Sequence, residues 1–270
     1  MSAPAIDERL ARRLVDSQFP QWADLPVEPV EHGGVDNRTF RLGERMTVRL
    51  PSADWYALQV AKEQRWLPVL APQLPLPIPT PVARGAPGEG YPYSWSVYRW
   101  LAGEVASEPG IDDLTVFATT LAGFLVALRR IDATEGPAPG AHNFFRGRPL
   151  ETYANETTDS IDALGDAIAG DAARRVWDDA TAATWEDDPV WFHGDPACDV
   201  VIAWTLLSGP SRDAFRSALG VDPDTWSRGR GWALWKALIT LVDQFDGDPE
   251  GAAVSRRVID RVLADHAGEG

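Results

Sequence analysis

Cysteine is almost absent from this chain. Cys198 is the only one among 270 residues, so no disulfide can close within it, and such a composition fits a reducing compartment, the cytoplasm. Histidine is scarce too, and His32, His142, His193 and His266 show no metal-ligand spacing. Positive charge is outnumbered: 25 Lys and Arg against 40 Asp and Glu leave a formal charge of −15. So acidic a chain repels phosphate backbones and anionic lipids, which argues against nucleic acid and membrane surfaces as partners. It is compatible with a cationic small molecule, although acidity of this kind commonly serves solubility alone. No run of about 18 apolar residues occurs, and the opening MSAPAIDERLARRL has no apolar signal core. Internal repeats and low-complexity tails are missing as well.

What is present suits a soluble globular protein: 44% apolar residues, 24% charged residues and twelve Trp, in a chain long enough for a substantial core. The two parts differ in texture. Up to about Trp100 the chain carries strand-like runs and many prolines; beyond, it is mostly helical. Ile6, Leu10 and Leu14 recur at helical spacing. Val27–Glu31, Arg38–Leu42 and Met46–Leu50 read as three strands of an antiparallel meander, separated by Gly33-Gly34 and Gly43-Glu44. A helix is predicted from Trp55 to Leu67, ended by Pro68. PQLPLPIPTP reads as an extended connector and Pro92–Trp100 as another strand. Leu114, Phe117, Leu121, Phe124, Leu125 and Leu128 make one face of a long helix. Further helices are predicted near 150–165, 171–184, 197–207, 211–219, 224–245 and 251–265, with Val190–Phe192 as a short buried strand. The expected domains are a β-rich lobe over 1–100, a linker over 101–104 and a helical lobe over 105–270. A cleft between two such lobes is a common place for a ligand.

Three segments carry candidate chemistry. In His32-Gly33-Gly34-Val35-Asp36-Asn37-Arg38-Thr39, glycines between strands would let backbone N–H groups approach phosphate oxygens, or simply make a hairpin turn. In MTVRL, Arg49 is a lone cation among apolar strand residues. In kinase-like folds a basic residue there contacts phosphates and pairs with a helix glutamate. Glu63 fills that second role; the alternative is two solvated surface charges. The third segment is Val190-Trp191-Phe192-His193-Gly194-Asp195, an apolar run ending in His-Gly-Asp. Asp195-Pro196 equally reads as a helix cap with proline at the first helical position. Trp226, Trp232 and Trp235 would stack on a sugar or, at their helical spacing, fill the core. Asp213, Asp222, Asp224, Asp243 and Asp246 lie where carboxylates would recruit a polycation, or are solvated helix and turn residues.

With GGVDNRTFRL, WLPVLAPQLPLPIPTPVARG, YSWSVYRWLAGE, HNFFRGRPL and GDPACDVVIAWTLLSG in this order, the chain resembles the aminoglycoside phosphotransferase family from about residue 25 to 245. The resemblance implies an α+β, protein-kinase-like two-lobe fold, with a small antiparallel β-rich N-lobe and a larger, mainly helical C-lobe. It implies an ATP-dependent kinase acting on a hydroxyl of a small molecule. Gly33, Gly34, Asn37, Arg38, Thr39, Arg49 and Glu63 would serve the nucleotide, Asp195 would take the acceptor's proton, and His193 and Asp199 would scaffold the loop. Asp199 otherwise reads as a first-turn carboxylate favoured by the helix dipole.

The family also implies Mg²⁺, held by an Asn five residues after the His-Gly-Asp aspartate and by an Asp on a following hairpin. Here that position is Val200, no Asn follows Asn155, and the hairpin is missing. One Gly194-Asp195 serves both the His-Gly-Asp and the Gly-Asp-Pro-Ala element. No magnesium ligand is therefore found in the sequence. A non-catalytic, pseudokinase-like binder of nucleotide or ligand stands as the second reading.

Overall fold

The computed structural model of the protein describes residues 5–31, 34, 36–143, 145–184, 190–192, 196–245 and 247–269. They divide into two compact units, Met1–Val105 with Pro137–Phe145, and Ala106–Gly136 with Arg146–Gly270.

The first unit opens with helix α1 (Glu8–Gln18), whose N-cap Asp7 accepts a hydrogen bond from the Leu10 N–H at 2.8 Å. A five-stranded antiparallel sheet follows: β1 (Val27–Pro29), β2 (Asn37–Leu42), β3 (Met46–Pro51), β4 (Pro81–Gly85) and β5 (Trp95–Arg99), in the order β1-β2-β3-β5-β4. Strands 1–3 form the expected meander, with Gly43 at φ +59° in the turn between β2 and β3. Alternation decides the faces. Phe40, Leu42, Val48, Leu50, Trp95 and Val97 bury against Leu10, Ala11, Leu14 and Val15 of α1. Thr39, Thr47, Arg49, Ser96 and Tyr98 take the alternate positions, on the side of helix α2 (Asp54–Leu70). Gly85 pairs with Trp95, and a Cβ there would stand 1.9 Å from the indole, so only glycine admits that ring.

Helix α2 runs through Pro68 rather than stopping before it. Proline in the last turn removes a single N–H bond, and the Ala71 N–H still closes on the Leu67 carbonyl. The proline-rich stretch passes through a 3-10 turn at Ala71–Gln73 and ends in β4. That strand lies at the sheet edge, where Pro81 costs no ladder bond. The 3-10 turn Ala141–Asn143 returns to pack on α2.

The second unit is helical: α3 (Leu114–Arg129), α4 (Ala154–Leu164), α5 (Gly170–Ala182), α6 (Pro196–Val200), α7 (Ile202–Thr205), α8 (Gly209–Leu219), α9 (Pro223–Gln244) and α10 (Pro249–Glu269). Asp113 caps α3, accepting from the N–H groups of Thr115 at 2.8 Å and Val116 at 3.0 Å. Central helix α9 touches α4, α5, α6 and α10. It is accordingly apolar on most sides, with Trp226, Trp232, Leu234, Leu238 and Leu241 buried. Gly231 lets α9 close on α5: a Cβ there would lie 2.5 Å from that of Ala180.

Two expectations are corrected in this unit. Val190–Phe192 is half-buried irregular chain, not a strand. A strand needs a neighbour to take its N–H and C=O groups, and the unit offers none among the described residues. Trp191 is held by its side chain instead, its indole N–H donating to the Asp132 carbonyl at 2.8 Å. The helix expected over 197–207 is two short ones. The break falls in the run Val200-Val201-Ile202, whose branched side chains are stiff and weakly helix-forming.

Candidate nucleotide and transfer sites

In the first unit, the register of β2, β3 and β5 sets Thr39 opposite Arg49 and Arg49 opposite Ser96. These three residues therefore share a face. Helix α2 brings Glu63 to it. Arg49 Nη1 lies 4.0 Å from Glu63 Oε2, so the cation and the carboxylate singled out in the sequence stand side by side. The separation is beyond hydrogen-bond reach. What does bond the carboxylate is a residue sequence reasoning missed: the Tyr98 phenol donates to Glu63 Oε2. The Arg49 guanidinium lies 5.4 Å from the centre of the same ring, within cation–π range. Burial, and then the Glu63 charge and hydrogen bond, push the Tyr98 phenol well above its ordinary pKa, with Ser96 and Arg49 opposing. It therefore stays a donor at neutral pH. Next to Glu63, the Gln64 amide donates to Ser96 Oγ and to the Ala83 carbonyl, both at 3.0 Å, which ties α2 to β4 and β5.

The glycine segment is described in part. Gly34 has nothing within 4 Å of where a Cβ would be, so its backbone is open to approach. The Arg38 Nη1 donates to the Gly34 carbonyl at 3.4 Å. Asn37 pairs with Pro51, and the Asp36 carbonyl accepts from the Ser52 N–H at 2.9 Å, fixing the segment onto the end of β3. By alternation Arg38 belongs to the opposite sheet face from Thr39 and Arg49. His32, Gly33 and Val35 lie outside the described residues.

In the second unit, His193, Gly194 and Asp195 lie outside the described residues, as does Asp246. Helix α6 does begin at Pro196, the position expected for proline at the first helical residue. Asp199, in its first turn, exerts its charge on Arg129 at the end of α3. Burial lowers the pKa of that arginine, and Asp199 and Asp222 oppose the shift. Arg129 also donates to the Leu219 carbonyl at 3.0 Å. Asp199 thus couples α6 electrostatically to α3.

The magnesium ligand that the family pattern places after the His-Gly-Asp motif is missing at its position among the described residues. Val200, where the family pattern places an oxygen ligand, is 1% exposed within the apolar core, and a valine has no donor for a hard cation. Among the described residues no three His, Cys, Asp or Glu side chains group as a metal site. Trp226 and Trp232 are core residues. Trp235 is partly exposed, stacks near Tyr153 at 4.3 Å and donates to Glu156 Oε2 at 2.9 Å.

Among the described residues, no helix is long and apolar enough to cross a membrane. No curated protein sequence matches the chain. Solved structures share its fold at low identity. The GDP complex of wild-type aminoglycoside 2'-phosphotransferase-IIIa superposes with a TM-score of 0.67 at 16% identity, over 96% of this chain and 99% of that one. The gentamicin–APH(2")-IIa complex gives 0.59 at 12%, over 96% and 97%. Macrolide 2'-phosphotransferase MphH from Brachybacterium faecium gives 0.56 at 17%, over 95% and 98%. Residues 27–196 match the phosphotransferase enzyme family. That stretch runs from the first strand to the start of α6, well over half of the chain, and the protein, with its protein-kinase-like fold, belongs to that family.

Proposed function

We propose that this protein transfers the γ-phosphoryl group of ATP to a hydroxyl of a small molecule, an antibiotic of the aminoglycoside type or similar. The observation that carries the reading is Arg49 set beside Glu63 on the polar sheet face of a chain belonging to a phosphotransferase family. Arg49 supplies positive charge to the nucleotide phosphates in a fork of N–H donors that fits phosphate oxygens. Thr39 and the open backbone at Gly34 lie on the strand and turn beside it, with Gly33 and Asn37 completing the proposed nucleotide segment; Arg38, on the opposite sheet face, is left out of it. Asp195 is the residue we assign to the acceptor, with His193 and Asp199 holding its loop. Its carboxylate takes the hydroxyl proton as the acceptor oxygen bonds to the γ-phosphorus. The bond from that phosphorus to the bridging oxygen breaks, and ADP leaves. Catalysis of this kind rests on positioning and electrostatic stabilisation. No step is assigned to a metal.

Relatives of the same fold were solved with gentamicin and with GDP, and the net charge of −15 suits a cationic acceptor. The test is ADP release from ATP, and GDP release from GTP, against a panel of aminoglycosides and macrolides, in wild type and Asp195→Ala. Acceptor-dependent release lost in the variant is the expected result. A second reading is favoured by one observation, the buried Val200: the protein binds nucleotide or a small ligand without transfer. It expects ATP to raise the melting temperature with no turnover.

A further inference from the structure

We propose that Tyr98 is a positioning residue for the nucleotide phosphates: it holds the Glu63 carboxylate with its phenol, so that Arg49 stays beside that carboxylate without closing into a tight pair with it. The inference rests on the nucleotide reading of Arg49 above.

The geometry is a competition for one oxygen. Glu63 Oε2 accepts from the Tyr98 phenol and is also the carboxylate oxygen within 4.0 Å of Arg49 Nη1. The phenol makes the hydrogen bond, and the guanidinium stops at 4.0 Å. A strong arginine–carboxylate pair uses two parallel N–H···O bonds at about 2.7–2.9 Å; the phenol competes for the lone pairs of Oε2, and the guanidinium stands outside that distance. Arg49 is left oriented by the Glu63 charge and by the face of the Tyr98 ring at 5.4 Å. A cation so held can turn its N–H donors to phosphate oxygens without first breaking a bidentate pair. Tyr98 suits this task. It is 2% exposed on β5, so water does not replace its bond, and the raised pKa of the phenol keeps its proton in place. The seating of α2 does not depend on it, because Gln64 separately bonds Ser96 and the Ala83 carbonyl. Removing the phenol oxygen therefore changes the state of Glu63 more than the position of the helix.

The test compares Tyr98→Phe, Glu63→Gln and the double variant by calorimetric titration with ATP and with adenosine, which lacks phosphate. Tyr98→Phe frees Glu63 to close on Arg49. ATP binding is expected to weaken roughly fivefold, the scale of one net hydrogen bond, with adenosine binding unchanged. In the Glu63→Gln background the competing charge is gone, so Tyr98→Phe should have no further effect on ATP. Unaltered ATP affinity in Tyr98→Phe, an equal loss for adenosine, or the same loss in the Glu63→Gln background each overturns the proposal. A stability cycle between Tyr98→Phe and Arg49→Met gives a second readout. Arg49→Met should lower the melting temperature more when Tyr98 is Phe, because the ion pair has then tightened; additive shifts overturn the idea. Wild-type protein that binds no ATP overturns the phosphate role and the nucleotide reading together. The cycle then still decides whether Tyr98 keeps Arg49 and Glu63 apart.

Discussion

Arg230 is the place where one substitution should cost the most stability for the least change in volume. It sits on α9 at 3% exposure, with its Nε 3.0 Å from Asp265 Oδ2 and an Nη2 bond to Glu269, both on α10. Arg212 of α8 reaches Asp265 at 3.1 Å, and Arg216 reaches Glu269. The Trp226 indole N–H also points to Asp265, at 3.4 Å. Three helices therefore meet on one ion network. In Arg230→Met the stem volume is largely kept and the charge is lost. Stranding a buried charge costs about 3–5 kcal/mol. Here each carboxylate keeps a second arginine, and the Glu269 side chain is 39% exposed, so water screens that half of the network. The expected loss is about 2–3 kcal/mol, a drop of roughly 4–12 °C in melting temperature for a unit of this size. Circular dichroism at neutral pH measures it. If Asp265 is the stranded charge, Asp265→Asn on top of Arg230→Met should recover part of the loss. A cost under about 0.5 kcal/mol, typical of an indifferent surface site, or no recovery by Asp265→Asn, would refute the reasoning.

Two further outcomes follow from the same packing. Gly231→Ala gains about 1 kcal/mol of helix propensity but sets a methyl 2.5 Å from the Ala180 Cβ and 3.0 Å from Leu150 Cδ1. Overpacking of that kind costs about 1–3 kcal/mol, so the variant should melt at or below wild type in urea; a clearly stabilised variant contradicts the close α5–α9 contact. Burial raises the Glu269 pKa, but the Arg230 and Arg216 hydrogen bonds and charges outweigh it and hold the carboxyl below its ordinary range. A depressed carboxyl contributes stability above its unfolded value, near 4.5, and loses it as pH falls through the lower folded value. Melting temperature should therefore fall on acidification from pH 5 to 3, and less steeply in Glu269→Gln; equal slopes in the two proteins would count against the ion network.

The parts of the fold that sequence revealed are those set by local rules. Period-two alternation around Gly43 marked β2 and β3 to within a residue, and helical spacing marked α3 and α9. The approach of Arg49 to Glu63 was legible only through the kinase-like pattern of a basic strand residue paired with a helix glutamate. Other features depend on partners far along the chain. Tyr98 stood in an obvious strand, but its bond to Glu63 spans 35 positions, and nothing local announces it. Val190–Phe192 is apolar enough for a strand, yet apolarity cannot supply the missing neighbour. The grouping of Pro137–Phe145 with the first unit is a tertiary choice of the same sort. Arg230 among tryptophans looks out of place until Asp265 and Glu269, one turn apart on α10, arrive beside it.

The measurement that bears most directly on the account is acceptor-dependent ADP release, with the product followed by mass spectrometry, for wild type and Asp195→Ala in the presence of ATP and magnesium chloride. The account predicts an acceptor that gains one phosphoryl group, with a rate falling about 100-fold or more when the aspartate that takes the proton is removed. ATP that stabilises the protein while no aminoglycoside or macrolide is phosphorylated would contradict transfer and leave a nucleotide-binding member of the family.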